Sequence, residues 1–204
     1  MNTATDKPDS AGLRALVVFA DPSLHRTRIS RRVADAAAGM EGVAVRDLYQ
    51  LYPDFYIDVR RERALLASAP LVVFVFQLAW YAMPALLKEW FDTVVKPEWA
   101  GGAEPRLAGK AAFAAVSCNS RPEDYQPGGR HGRPLEDFLA PLEQTARACG
   151  MRWLPPHLFY GADSADPGAA ARHADALRAL LAAHAANVLD DALREAESGG
   201  RHGT

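Results

Sequence analysis

The chain of 204 residues is poor in the features that mark several large classes of protein. It has only two cysteines, Cys118 and Cys149. They are too few and too far apart for a disulfide framework or a zinc site, and both are read as reduced thiols. No apolar run approaches the roughly 18 residues needed to cross a bilayer. The opening MNTATDKPDSAG is polar and holds no apolar signal-peptide core, so the expected location is the cytoplasm. Neither sign of charge dominates: the net charge of -2 gives no general attraction to nucleic acid or to an anionic membrane. Glycine is missing from the turn after the first apolar segment, and with no GK[ST] there that turn is not a Walker loop. A GxSxG elbow is also missing, and no serine combines a strand-to-helix position with a nearby base, which disfavours a Ser/His/Asp hydrolase.

What the chain does have is alternation. Leu13 to Ala20 (LRALVVFA) reads as a strand buried on both faces, after which Ile29, Val33, Ala37 and Met40 recur at helical spacing. Val43 to Leu48 reads as a second strand. A Tyr/Pro-rich connection over Tyr49 to Ile57 then leads into a helix from Val59 to Ala67. Leu71 to Phe76 is the most apolar run and the third strand. It is followed within a few residues by a helix that opens at Pro84 and carries Leu87, Trp90, Phe91, Val94 and Val95 on one stripe. A fourth strand from Gly109 through Ser117, a Gly/Pro-rich loop over Asn119 to Arg133 and a helix from Leu135 to Cys149 come next. A fifth strand spans Trp153 to Phe159, and its Pro155 and Pro156 place it at a sheet edge. An Ala/Leu-rich helix from Gly168 to Ala196 ends the pattern. Residues 1–12 read as a disordered lead, 13–197 as one domain and 198–204 as a frayed tail. Five strands separated by helices predict an α/β fold with a doubly wound five-stranded parallel sheet, in the flavodoxin-like order 2-1-3-4-5.

In such a sheet, ligands bind at the carboxyl ends of the strands. The tight loop Gln77 to Met83, with Trp80 and Tyr81 at its centre, is therefore the first candidate site. The bland alternative is that these aromatics cap the core. The stretch Asp21 to Arg28 after the first strand combines a helix N-terminus, the Thr27 hydroxyl and guanidinium groups, a set that binds phosphate. On that stretch alone, a capped helix with a solvated basic face carrying Arg28, Arg31 and Arg32 is the better account, and His25 reads as a solvated loop residue. The fourth strand ends in Ser117-Cys118-Asn119-Ser120, and the loop beyond carries Tyr125 and His131. A phenol and an imidazole there can donate to a developing oxyanion and relay a proton.

Taken in order, these stretches resemble the flavodoxin-like NAD(P)H:quinone oxidoreductases, most nearly the ancillary oxidoreductase subunits of glutathione-gated potassium-efflux (Kef) systems. The resemblance covers Leu13 to Leu181 and rests on DLYQLYPDFYID over Asp47 to Asp58, on WYAMPALLKEWFD and on GMRWLPPHLFYG. It implies that Gln77, Leu78, Ala79, Trp80 and Tyr81 contact an isoalloxazine ring. It also implies that Thr27 takes a phosphate-binding position beside Arg28, and that Ser30 stands where the family has Asn. Tyr125 and His131, six residues apart as in the family, would stabilise the reduced ring and developing charge. Asp21 replaces a usual His beside the phosphate, where a carboxylate repels. Ser117-Cys118-Asn119-Ser120 includes the replacement of a Thr-Gly-Gly turn, whose glycines allow a positive φ that Asn tolerates and Ser tolerates poorly.

The implied activity is two-electron reduction of quinones or similar electrophiles, with NADH or NADPH as donor. FMN is favoured over FAD because no extra domain is visible to grip an adenine, and no metal is implied. The implied partners are a second copy of the chain, with Tyr49 to Tyr56 as the contact surface, and a membrane potassium/proton antiporter at the inner face of the cell membrane. The alternative is a regulatory subunit of such an antiporter with vestigial redox activity, and a third reading is a nucleotide-binding module without catalysis.

Overall fold

A computed structural model describes residues 12–22, 28–100 and 105–199. The expected lead and tail fall almost wholly outside this range, as does Thr27. Six strands form one sheet: β1 (Ala15–Ala20), β2 (Val43–Asp47), β3 (Leu71–Gln77), β4 (Ala111–Ser117), β5 (Arg152–Trp153) and β6 (His157–Phe159). The order is β2-β1-β3-β4, with β5 and β6 both beyond β4, and every pairing is parallel. This is the expected flavodoxin-like arrangement.

Burial on both faces explains why β1, β3 and β4 read as continuous apolar runs. Leu16, Val18, Val72, Phe74, Ala112 and Ala114 face α3 (Val59–Ser68), α4 (Ala85–Val94) and α6 (Ala140–Ala148). Their alternates Ala15, Val17, Phe19, Val73 and Phe113 pack with α1 (Arg28–Ala38) and α7 (Pro167–Gly199). A strand that shows neither face to water has no polar positions to alternate with.

The single fifth strand expected over Trp153 to Phe159 is instead two segments. Ala112 pairs with Trp153 and Ala115 with His157, so Leu154, Pro155 and Pro156 lie opposite Phe113 and Ala114. The prolines have no N–H to continue the ladder, and the extra residue is absorbed as a break at the sheet edge. Other differences are local. Asp47 ends β2 and caps the short helix α2 (Leu48–Leu51) by accepting from the Gln50 N–H at 3.3 Å. The helix expected from Leu135 opens as a 3-10 segment, Leu135–Leu139, before α6. α5 (Pro97–Ala100) is a single turn after α4. No helix among the described residues is long and apolar enough to cross a membrane.

Beneath the sheet edge of β2, charge is buried on purpose-built partners. Glu62 on α3 is 0% exposed and accepts from Arg46 Nε at 2.9 Å, from the Tyr52 hydroxyl at 2.7 Å and from Trp90 Nε1 at 3.1 Å. One carboxylate thereby ties β2, the Tyr49–Tyr56 connection, α3 and α4 together.

Candidate functional site

The carboxyl ends of β1, β3 and β4 open onto a cleft of about 400 Å³, lined by Asp21, Gln77, Ala79, Ala82, Met83 and Asn119 among others. That volume lies within the roughly 300–1,000 Å³ of sites for cofactor-sized ligands. Its floor is fixed by backbone bonds: Leu78 N donates to the Ser117 carbonyl at 2.8 Å, which locks the loop after β3 to the end of β4. Across the mouth, Gln77 Nε2 donates to Asn119 Oδ1 at 2.7 Å.

The loop after β3 is a tight turn closed by reciprocal bonds, Ala79 N to the Ala82 carbonyl at 3.3 Å and Ala82 N to the Ala79 carbonyl at 3.1 Å. The residues between them are forced into the left-handed region, Trp80 at φ 50° and Tyr81 at φ 64°. Neither is glycine, and such conformations cost on the order of 1–3 kcal/mol each, which is tolerated where the geometry serves a site. The turn throws the Trp80 indole outward, 92% exposed, so it does not cap the core. The backbone N–H groups of Trp80 and Tyr81 have no backbone acceptor among the described residues and are available to a ligand. Asn119 and Ser120, where positive φ was of concern, do not adopt it; the backbone strain falls on the neighbouring loop.

Beside the cleft lies an aromatic cluster. Tyr81 stacks on Phe138 with ring centroids 5.0 Å apart, Tyr125 lies 4.4 Å from His131, and Tyr160 lies 5.6 Å from Tyr125. His131 bridges the two loops, with Nδ1 3.3 Å from the Tyr81 hydroxyl and Nε2 2.9 Å from Ser120 Oγ. Burial pushes the Cys118 thiol up, and burial with the neighbouring Cys118 pushes the Tyr125 phenol up. Burial, with the Glu136 carboxylate adding to it, raises Tyr160 as well. All three keep their hydrogens at neutral pH, and the Cys118 thiol donates to the Ser120 carbonyl at 3.5 Å.

The candidates therefore separate into groups. Asp21, Gln77, Ala79 and Asn119 line the cleft. Tyr81, Ser120, Tyr125 and His131 meet in the adjoining cluster, and Trp80 stands free above it. Leu78 is buried in the core beneath the loop. Ser30 and Ser117 hydrogen-bond each other at 2.9 Å inside the fold, and Cys118, which follows Ser117, is buried. Thr27 and the side chain of Arg28 lie outside the described residues. Sequence reading missed Asp163, which lines the cleft, and Phe138, on which Tyr81 stacks. Asp163 was findable, because it follows the last strand at its carboxyl end, where crevice residues gather. Phe138 looked like any apolar residue of a helix.

A flavin fits the described end of this cleft. Amide side chains at Gln77 and Asn119, free loop N–H donors and the apolar Ala79, Ala82 and Met83 form the donor set and the flat wall that a planar heteroaromatic ring requires. A family described as having a flavodoxin-like fold matches residues 14–182. The glutathione-regulated potassium-efflux system ancillary protein KefF of Klebsiella pneumoniae is 40% identical over 162 residues, 78% of this chain and 90% of that protein. Among solved structures, general stress protein 14 of Treponema denticola in complex with FMN superposes with a TM-score of 0.79 at 30% identity, covering 84% of this chain and 99% of that one. An NADPH-quinone reductase from P. pentosaceus superposes with a TM-score of 0.73 at 27% identity, covering 80% and 95%.

Proposed function

The chain belongs to the flavodoxin-like fold family, and on that footing we propose that it is an FMN-dependent NAD(P)H oxidoreductase reducing quinones or similar electrophiles by two-electron transfer. The observation that carries this reading is the cleft at the carboxyl edge of β1, β3 and β4, walled on one side by a strained aromatic turn, in a chain whose fold matches an FMN-bound relative. FMN, when bound, supplies the centre that takes a hydride from NAD(P)H and passes it on. The chain's own residues orient and exclude. Gln77 and Asn119 present amides at the mouth, the Trp80 and Tyr81 N–H groups offer donors, and Ala79, Ala82 and Met83 keep water from one wall. Tyr125 and His131, their rings 4.4 Å apart in the cluster beside the cleft, are on this reading the groups that offset negative charge on the acceptor.

We further propose a homodimer. Leu51, Phe55, Tyr56, Trp80 and Tyr81 are exposed large apolar side chains, supporting a shared surface that continues from the Tyr49–Tyr56 connection to the cleft. A monomer by light scattering would count against it. A second reading, that the chain serves as a regulatory subunit docked on a potassium/proton antiporter at the inner face of the membrane, draws on the similarity to KefF and on Asp21. That carboxylate lines the cleft at the end expected to hold phosphate, which weakens cofactor retention.

The deciding experiment is reconstitution. Protein supplied with FMN is expected to show bound-flavin absorbance and to oxidise NAD(P)H when a quinone is added. Colourless protein with no turnover would leave the antiporter-binding role as the better account.

A further inference from the structure

Asp163 reaches the cleft from beyond β6, and its segment is clamped to the end of β4. Cys118 N donates to the Phe159 carbonyl at 2.8 Å, Gly161 N to the Ser120 carbonyl at 3.0 Å and Ala162 N to the Cys118 carbonyl at 2.9 Å. Gly161, at φ 69°, turns the chain from these bonds into the 3-10 segment Ala162–Ser164. The Asp163 side chain is exposed and has no hydrogen-bond or ion-pair partner among the described residues. A carboxylate on so tethered a turn is a fixed charge that nothing in them neutralises.

Its place along the sheet decides what it acts on. β1, β3, β4 and β6 lie side by side in that order, so the cleft is lined successively by Asp21, by Gln77 and Ala79, by Asn119 and by Asp163. Asp21 and Asp163 therefore mark opposite ends. The Asp163 end adjoins the aromatic cluster, because the same Ser120 that holds Gly161 by its carbonyl has its Oγ 2.9 Å from His131 Nε2. On the oxidoreductase reading above, on which this inference rests, the cofactor phosphate lies toward Asp21 and the electron acceptor toward Asp163. The described residues that line the cleft include these two carboxylates and no lysine or arginine.

A fixed negative charge in a concave site concentrates cations and repels anions. We infer that Asp163 is a specificity-determining residue that makes the acceptor end of the cleft select aromatic acceptors bearing positive charge over those bearing negative charge. Quinone-like rings with a quaternary ammonium or pyridinium group are the favoured class, and sulfonated or carboxylated rings are disfavoured. The charge acts on binding and not on the reacting atoms, so its effect falls on KM. For one pair of charges near the surface it amounts to about fivefold in affinity.

Three naphthoquinones, one neutral, one sulfonated and one carrying a trimethylammonium group, test this as acceptors for the FMN-loaded enzyme. Substituents alter a quinone's own reactivity, so the quantity read is the change from wild type to variant. Relative to the neutral quinone, Asp163→Asn is expected to raise kcat/KM about fivefold for the sulfonate and to lower it about fivefold for the ammonium compound, both through KM. Asp163→Lys should go further in the same direction, and high salt should shrink the wild-type difference. Three acceptors that shift together, or changes carried by kcat, overturn the inference. Protein that reduces none of the three defeats the enzymatic reading instead. Equilibrium binding of naphthyltrimethylammonium and naphthalenesulfonate, followed by tryptophan fluorescence, still decides this one. The ratio of cation to anion affinity should fall about 25-fold from wild type to Asp163→Asn. An unchanged ratio, or no binding of either probe, overturns the inference.

Discussion

Replacing Glu62 by alanine tests whether the buried carboxylate holds the site's scaffold together. The substitution removes the acceptor for Arg46, whose Nη2 stands 2.7 Å away, and orphans the Tyr52 hydroxyl and the Trp90 indole N–H. Breaking one partner of a buried ion pair costs about 3–5 kcal/mol, because the remaining charge stays in a poorly solvated place. That is a large part of the roughly 5–15 kcal/mol by which a domain is stable. At about 2–4 °C per kcal/mol for a chain of this size, the melting temperature should fall by about 6–20 °C. Replacing both charges, as Arg46→Met with Glu62→Leu, removes the uncompensated charge and should recover much of the loss. Urea titration followed by circular dichroism gives both values. A loss under about 1 kcal/mol for Glu62→Ala, or a double variant as unstable as the single, would refute the argument. The network also has an alkaline limit. Burial, reinforced by the hydrogen bond to Glu62, pushes the Tyr52 phenol up to about 12 from 10.0. Its contribution is present below the unfolded value and is lost as pH rises through about 12.

The remaining predictions concern the sheet edge, the phosphate end and the exposed indole. His157 and His173 stack at 3.9 Å, and burial, with the neighbouring His157 adding to it, pushes His173 down to about 4 from 6.5. The folded state thus binds fewer protons than the unfolded chain. Stability should fall as pH drops from about 6.5 to about 4, and His173→Phe should flatten that limb in melting curves. Asp21→Asn removes a negative charge from the cleft, a change on the order of 1 kcal/mol. FMN affinity by fluorescence titration should rise about fivefold, with no gain for riboflavin, which lacks the phosphate. Trp80→Ala should leave stability within about 0.5 kcal/mol, the side chain being solvent-exposed, while shifting a dimer toward monomer in light scattering.

The sheet was legible because β1, β3 and β4 are buried on both faces, so their residues form short unbroken apolar runs set between helical patterns. Pro155 and Pro156 announced an edge correctly but not a break, since the break depends on the register that Trp153 and His157 take against β4. For the site, the loop after β3 could be located from its position between a strand and a helix. The backbone conformation of Trp80 and Tyr81 could not. It is imposed by the paired bonds between Ala79 and Ala82, and aromatic residues are poor guides to a left-handed turn. Glu62 was invisible for a different reason. On α3 it reads as a solvated charge among arginines, and only the arrival of Arg46, Tyr52 and Trp90 from elsewhere makes it a buried one.

The strained turn and the Glu62 network are parts of one argument about rigidity. Two successive left-handed aromatics persist only if neighbouring structure holds them. The turn begins at Leu78, bonded to Ser117, and ends at Pro84, which caps α4. α4 is fixed in turn by Trp90, buried in the core and bonded to Glu62, and by Leu86 N, which donates to the Tyr49 hydroxyl at 3.4 Å. From above, Tyr81 is held by Phe138 and His131. Loosening α4 at its Trp90 anchor should therefore relax the turn even though no residue of the turn has changed. Destabilisation at Glu62 and loss of the left-handed conformation at Trp80 and Tyr81 are predicted to travel together, because the ten-residue helix between them joins one to the other.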